Sequence, residues 1–277
     1  SLTEFKADGL HSARSLWPRT AKGKLSVSAS AITEAMDRGL VPTAQMPVLE
    51  NYLRRQKNST YLKTFGKSLA ERIEADGRIR GNIQIAGAVT GRMSSSEPNL
   101  QNFPKDKAFR SLFIAEPGNR IIVCDYSQIE VHVGGLLAGE QTWLDWFKNN
   151  HDAHTASAAL MLHKAYEEVT GEERQRAKEV TFGMQYGMQA KSLSKIIKVS
   201  EAQAQTEINL WLELYPAIAQ WREQQYQQGQ QEGFLMTAAG RRICLSRNPP
   251  PSVCYNYPVQ GSAADVMYAA LTALADR

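Results

Sequence analysis

Cysteine is scarce and unpatterned: Cys124, Cys244 and Cys254 are the three present, with no Cys-x-x-Cys pair among them. That argues against a disulfide scaffold or a cysteine zinc site and points to a reducing compartment, the cytoplasm. Long apolar runs are missing too. The longest candidates, Ile121–Cys124 and Val131–Ala138, stand beside Asp125, Glu130 and Glu140. They fall far short of the roughly 20 residues a membrane-spanning helix needs, so no membrane partner is expected. The opening Ser1-Leu2-Thr3-Glu4 lacks the basic and apolar blocks of a secretion leader, and a first residue other than methionine reads as a fragment or a processed chain. Neither sign of charge dominates: 32 Lys and Arg stand against 28 Asp and Glu, a net charge of +4. That permits a nucleic-acid partner without demanding one. Internal repeats and low-complexity tracts are absent as well.

What is present suits a folded chain. Its 277 residues, 43% of them hydrophobic, can build one large domain or two modest ones. Thr20–Ser30 reads as an exposed loop. Pro47 opens a helical pattern in which Leu49, Tyr52 and Leu53 recur at helix spacing. Arg54, Arg55, Lys57, Lys63 and Lys67 punctuate this region and read as a solvated face. Asp76-Gly77 signals a turn, and the alternation from Arg78 to Ile85 predicts a strand. Ile121–Cys124 predicts a short buried strand ending at Asp125, with a helix leaving it through Ile129, Val133 and Leu136. From Trp143 to Tyr226 the pattern is mostly helical. Thr170-Gly171-Glu172-Glu173 has the form of a capping box, and Gly187 marks a stop. Pro249-Pro250-Pro251 predicts a rigid loop, and Ala263–Arg277 a closing helix with Met267, Leu271 and Leu274 on one face.

Four constellations carry chemistry. In Asp125-Tyr126-Ser127-Gln128-Ile129-Glu130, an acid at a strand end suits either a magnesium ligand or the cap of the following helix. Arg174, Lys178, Phe182 and Tyr186 recur every four residues, a slowly winding stripe of two cations and two aromatics. Such a stripe can bind a triphosphate at one end and stack on a base at the other; it also suits a solvated edge beside a packed face. Thr90–Ser96, followed by Asn99, Gln101 and Asn102, offers many donors to phosphates and base edges, or simply a polar loop. Pro258–Asp265, preceded by Asn256, reads as a loop entering a helix with Asp265 in its first turn.

Taken in order, the four resemble the family A DNA polymerases, the bacterial DNA polymerase I type. DYSQIE is similar to that family's motif A, and Arg174-x-x-x-Lys178-x-x-x-Phe182-x-x-x-Tyr186-Gly187 to its motif B. TGRMSSSEPNLQNFP resembles TGRLSSSDPNLQNIP, and NYPVQGSAAD resembles NxPVQGTAAD. Asp152–Ser157, Gly240-Arg241-Arg242 and the Trp17–Lys24 segment also match in order. The resemblance covers nearly the whole chain.

It implies an α+β fold of right-hand architecture, with a small antiparallel palm sheet and a helical fingers insertion. Residues 1–75 would be the end of the thumb and the helices joining it to the palm, 76–140 the palm with motif A, 141–235 the fingers with motif B, and 236–277 the return to the palm. It implies template-directed DNA synthesis from deoxynucleoside triphosphates on a primer-template. Asp125 would be catalytic and, with the Tyr126 carbonyl, would bind two magnesium ions. Lys178, also catalytic, would hold the triphosphate with Arg174. Gln128 and His154 would seat the nucleotide, Phe182 pack on its base and sugar, Tyr186 stack near the template base, and Glu130 crowd the sugar C2′. Arg92, Asn256 and Gln260 would line the minor groove, with Asn99, Gln101, Asn102 and Arg241 also on DNA. Val131-His132 stands where the family usually has Leu-Arg. The family's motif C, His-Asp-Glu, is not found, so the chain is expected to be a truncated polymerase domain, completed by a C-terminal segment or a second chain. A nucleic-acid binder that kept the fold and lost the chemistry is the alternative, and the intact Asp125, Glu130 and Lys178 speak against it.

Overall fold

Local signals account for most of the helices. The computed structural model describes residues 16–20, 22–104 and 106–276, so the opening Ser1–Glu4 lies outside it. The chain divides into two compact units, 1–81 and 82–277.

In the first unit, helix α1 (Ala29–Asp37) is capped by Ser28, whose hydroxyl accepts from the Ala31 amide. Helix α2 (Met46–Phe65) begins with Pro47 in its first turn, as the sequence suggests, where the missing N–H costs nothing. None of its residues is buried, so its basic side chains do form a solvated face. The expected loop at Thr20–Ser30 is shortened at both ends, by an Arg19–Leu25 bridge and by α1 itself.

The second unit is helix-rich, with two small antiparallel sheets. Strand β1 (Asn82–Gln84) pairs with β2 (Ser94–Ser96), Ile83 opposite Ser95. Of the strand expected from Arg78 to Ile85 only Asn82–Gln84 forms as a strand, while upstream Ile79 makes a single antiparallel bridge to Ile73. Helices α3 (Ile129–Ala138), α4 (Gln141–Lys148), α5 (Ala153–Leu162), α6 (Gly171–Gln185), α7 (Ala190–Ile196), α8 (Glu201–Leu214) and α9 (Pro216–Glu232) follow. Strand β3 (Phe234–Met236) pairs with β4 (Arg242–Cys244), and α10 (Pro251–Ala275) closes the chain. No described helix is long and apolar enough to cross a membrane.

The main core lies between α3, α4, α5, α6, α7, α8 and α9, and a smaller cluster of Val133, Val259 and Ala263 joins α3 to α10. Trp143, Trp211 and Tyr215 meet edge to face, with ring centroids 5.0 to 6.0 Å apart. Such contacts add roughly 1 kcal/mol each to the area they bury. The Tyr215 hydroxyl donates to Ser157 at 3.0 Å, so the ring carries its polar end into the core already partnered. Helix α6 starts at the expected capping box, with Thr170 and Glu173 bonding each other's backbone. It ends at Gln185, and Gly187 follows at φ +68°. A side chain at Gly187 would meet the Cα of Ser252 at 3.1 Å, so only glycine lets the end of α6 lie this close to α10.

Two expectations are corrected. Ile121–Cys124 is not a buried strand: it pairs with no described strand, and Ile122 and Val123 are 84% and 81% exposed. Apolar β-branched residues favour strands only when a partner takes their hydrogen bonds and covers their side chains. Nor does the last helix wait for Ala263. It begins at Pro251 and runs through Pro258. The three prolines form its entrance, and Asp265 stands well inside it, not in its first turn. Met267, Leu271 and Leu274 share its exposed side.

Candidate active site

Helix α6 sets the geometry. Its capped start fixes the phase of the stripe, and the structure keeps Arg174, Lys178, Phe182 and Tyr186 in one row. The Phe182 and Tyr186 rings are parallel, with centroids 6.2 Å apart. The Lys178 ammonium lies 5.9 Å from the Phe182 ring centre. His154 on α5 approaches the same ring, centroids 5.6 Å apart. It is 2% exposed, and its Nδ1 has no partner. Burial pushes the imidazole down to about 4, outweighing the attraction of Asp152, so it is neutral at pH 7.

At the far end of the row stands Glu130, in the first turn of α3 and 9% exposed. Tyr186 donates its hydroxyl to one carboxylate oxygen, and the Arg92 guanidinium pairs with the other. Gln185 donates to the Glu130 backbone carbonyl at 2.8 Å. Burial and the Glu130 carboxylate together push the Tyr186 phenol well above its usual range, so it stays a donor. Gln260 also reaches that hydroxyl.

At the near end, Arg174 is not free. Its Nε and Nη2 donate to the two oxygens of Asp152 at 3.0 and 2.7 Å. Gln128 donates to the same carboxylate at 2.7 Å and accepts from the Ala153 amide at 3.1 Å. Gln128 itself sits in the left-handed region at φ +53°, a conformation that costs a non-glycine residue about 1 kcal/mol or more. The motif-A turn and the start of α5 are thereby tied to the start of α6.

Asp125 does not cap α3: Gln128 holds that position and makes no side-chain cap. The Asp125 side chain is exposed, with no hydrogen bond to a described residue. No group of three or more His, Cys, Asp or Glu that could hold a metal occurs among the described residues. Asp125 and the neighbouring Tyr126 carbonyl offer two oxygen donors of the kind a hard cation takes, too few by themselves for a two-ion site. His132 stacks on Phe147 and is held low by burial, so no fixed cation stands there.

The remaining DNA candidates fall into two groups. Arg92 and Gln260 belong to the Glu130 cluster, and Asn256 is half-buried on α10 near it in sequence. Asn99, Gln101 and Asn102 form a separate exposed turn, with Asn99 accepting from the Gln101 amide and Gln101 donating to the Met93 carbonyl. Arg241 faces inward. It pairs with Asp265 at 2.8 Å and donates to the carbonyls of Thr90 and Gly261, strapping three segments together. Motif and spacing did not single out Asp152 or Gln185 for the site. The Asp152-x-x-Thr155 cap was the available signal for the first; nothing local marks the second.

A row with cations at one end, parallel rings in the middle and a buried carboxylate at the other offers charge-assisted donors and a flat apolar face side by side. The DNA polymerase family A model matches residues 8–277, and the chain belongs to that family. It is 34% identical to the DNA polymerase I of Pseudomonas aeruginosa over 271 residues, 92% of this chain and 29% of that one. It is 32% identical to the thermostable DNA polymerase I of Thermus aquaticus, over 92% of this chain and 32% of that one. Among solved structures it resembles the polymerase domain of Pol1 from M. smegmatis in complex with DNA primer-template and dNTP. There the TM-score is 0.80 and the identity 28%, covering 96% of this chain and 50% of the other. The chain therefore spans about a third of these polymerase I relatives and half of that domain.

Proposed function

We propose that the protein carrying this chain performs template-directed DNA synthesis, adding deoxynucleoside triphosphates to a primer 3′ end and releasing pyrophosphate. The observation that carries the reading is the row from Arg174 to Tyr186 facing His154 and Glu130. Arg174 and Lys178 hold the triphosphate and offset charge that grows toward the leaving pyrophosphate. Neutral His154 hydrogen-bonds a phosphate oxygen without adding charge. Phe182 lies against the base and sugar, Tyr186 beside the templating position. Glu130, fixed from both oxygens, fills the space a ribose 2′-hydroxyl needs. Arg92, Asn256 and Gln260 follow the minor groove, where acceptors are similarly placed in all pairs, so contacts there test pair shape rather than sequence. Asn99, Gln101 and Asn102 contact the DNA backbone, and Arg241 supports that surface from within. The division into palm, fingers and palm at 76–140, 141–235 and 236–277 belongs to the same reading.

Family A DNA polymerases are generally metal-dependent. Asp125 and the Tyr126 carbonyl supply two oxygen ligands for magnesium, and the rest of a two-ion site comes from a C-terminal segment or second chain bearing motif C. A bacterial or phage-infected cytoplasm is the setting. The test is primer extension by the intact gene product with all four nucleotides and magnesium. Lys178→Ala should slow single-turnover addition about a hundredfold or more, as loss of a transition-state charge contact does, with primer-template affinity unchanged. Equal losses in rate and DNA affinity would move Lys178 to the DNA backbone and undo the reading.

A further inference from the structure

Arg174 is held by more than its own helix. The Asp152 carboxylate takes five donors: Arg174 Nε and Nη2, Gln128 Nε2, and the Thr155 amide and hydroxyl at 2.8 and 2.9 Å. A carboxylate has about four lone-pair directions, so this one is saturated. Partial burial would raise it, but Arg174 and Thr155 outweigh that and hold it well below the usual carboxylate range.

The guanidinium is planar, with donors on more than one edge. Asp152 grips the Nε/Nη2 edge. No described group takes Nη1, so the outer edge keeps its donors. A free arginine side chain carries about 2 kcal/mol of rotamer entropy, which would be lost on each capture of a phosphate. Here that ordering is already made. Its cost is a negative charge near a polyanion, and five donors largely offset it.

Building on the triphosphate reading above, we infer that Asp152 is a positioning residue: by gripping one edge of Arg174 it presents the other edge to the nucleotide phosphates, in register with Gln128 and Glu130 of the motif-A turn. Asp152 touches no substrate; it acts through Arg174. The same carboxylate also begins α5, which places His154 two residues later against Phe182. One side chain thus sets the arginine and the start of the histidine's helix.

The test separates this role from a merely structural one. Asp152→Asn keeps the size and the acceptor for the Thr155 amide, so α5 keeps its cap, but it loses the charge and the two-pronged grip. The intact gene product is titrated with dATP and magnesium at equilibrium, with bound primer-template whose primer ends in a dideoxynucleotide and whose templating base is thymine. Asp152→Asn should weaken dATP binding about tenfold, roughly the loss of one charge-assisted contact. In an Arg174→Ala background the same change should cost less than twofold, because the group it acts through is gone. Primer-template affinity and melting temperature should move little. An equal loss in both backgrounds, no loss in either, or tighter dATP binding by Asp152→Asn would overturn the inference. Primer extension is scored separately. A protein that binds dATP in this Asp152-dependent way and fails to extend a primer refutes the synthetic function and leaves the positioning role standing. A protein that extends primers without the Arg174-dependent effect refutes only the positioning role. Failure of the wild type to bind dATP refutes both.

Discussion

Tyr186 donates its hydroxyl to the Glu130 carboxylate across 56 residues of chain, while Arg92 engages the other oxygen of the same group. The pair joins the end of α6 to the first turn of α3. The side chain proposed to exclude a ribose hydroxyl is therefore held by the helix that carries Arg174, Lys178 and Phe182.

Removing the hydroxyl loosens Glu130 without removing it. Tyr186→Phe should weaken discrimination against ribonucleotides about fivefold, the equivalent of one hydrogen bond near 1 kcal/mol. Glu130→Ala, which deletes the barrier, should weaken it more. The measurement is the ratio of single-turnover incorporation of ribo- and deoxynucleotides. An unchanged ratio in both variants would take Glu130 out of sugar selection.

His154 gives the fold a slope in acid. Its imidazole titrates at about 4 when folded, against an ordinary value of 6.5, so the unfolded chain binds the proton first. Stability from this group is full above about pH 6.5 and falls as pH drops toward 4. Between pH 7 and 5 the loss should be roughly 1–2 kcal/mol. His132, also held low by burial, adds to the same slope. The readout is therefore the difference between wild type and His154→Gln in melting temperature against pH. Parallel curves would mean the histidine is solvated in the folded protein.

Arg222 on α9 carries a poorly compensated charge. Its Nε and Nη1 are buried without a partner, and its guanidinium lies 4.2 Å from the Tyr255 ring centre. Burial pulls it below its ordinary range. A ring contact returns about 1 kcal/mol or somewhat more, whereas burying an ion costs several. Arg222→Met, apolar and of similar length, should raise the melting temperature, by the equivalent of about 1 kcal/mol. A lower melting temperature would show that the ring contact prevails.

Ile114, Ile121, Ile122 and Val123 stand largely exposed on segments with no strand pairing. Exposed apolar side chains in such number, three of them consecutive at Ile121–Val123, promote association. The 277-residue polypeptide should sediment as a concentration-dependent mixture, and Ile122→Lys should shift it toward monomer. A wild-type chain that stays monomeric at all concentrations would contradict this.

Much of the fold was legible because it rests on bonds between near neighbours. Thr170 and Glu173 cap α6 from three residues apart, and a spacing of four along a helix is enough to put Arg174, Lys178, Phe182 and Tyr186 in one row. Ile121–Cys124 misled because its strand character is real as a propensity, while a strand also needs a partner that local sequence does not name. The final helix misled for a related reason. Pro258 argues against a helix interior because its missing N–H leaves the Cys254 carbonyl without its helical donor, yet the helix runs through it with Pro258 fully buried.

The sequence by itself determined the family through its ordered motifs, and the helix carrying the Arg174–Tyr186 row through periodicity and capping, which act over one or two turns. Only the tertiary structure decided who holds whom. Asp152 reaches Arg174 across 22 residues, Glu130 reaches Tyr186 across 56, and Arg241 reaches the Thr90 carbonyl across 151. Such pairings arise when tertiary packing brings distant groups together and partly withdraws them from water, where an unpaired charge is costly. No local pattern records which partner it will be.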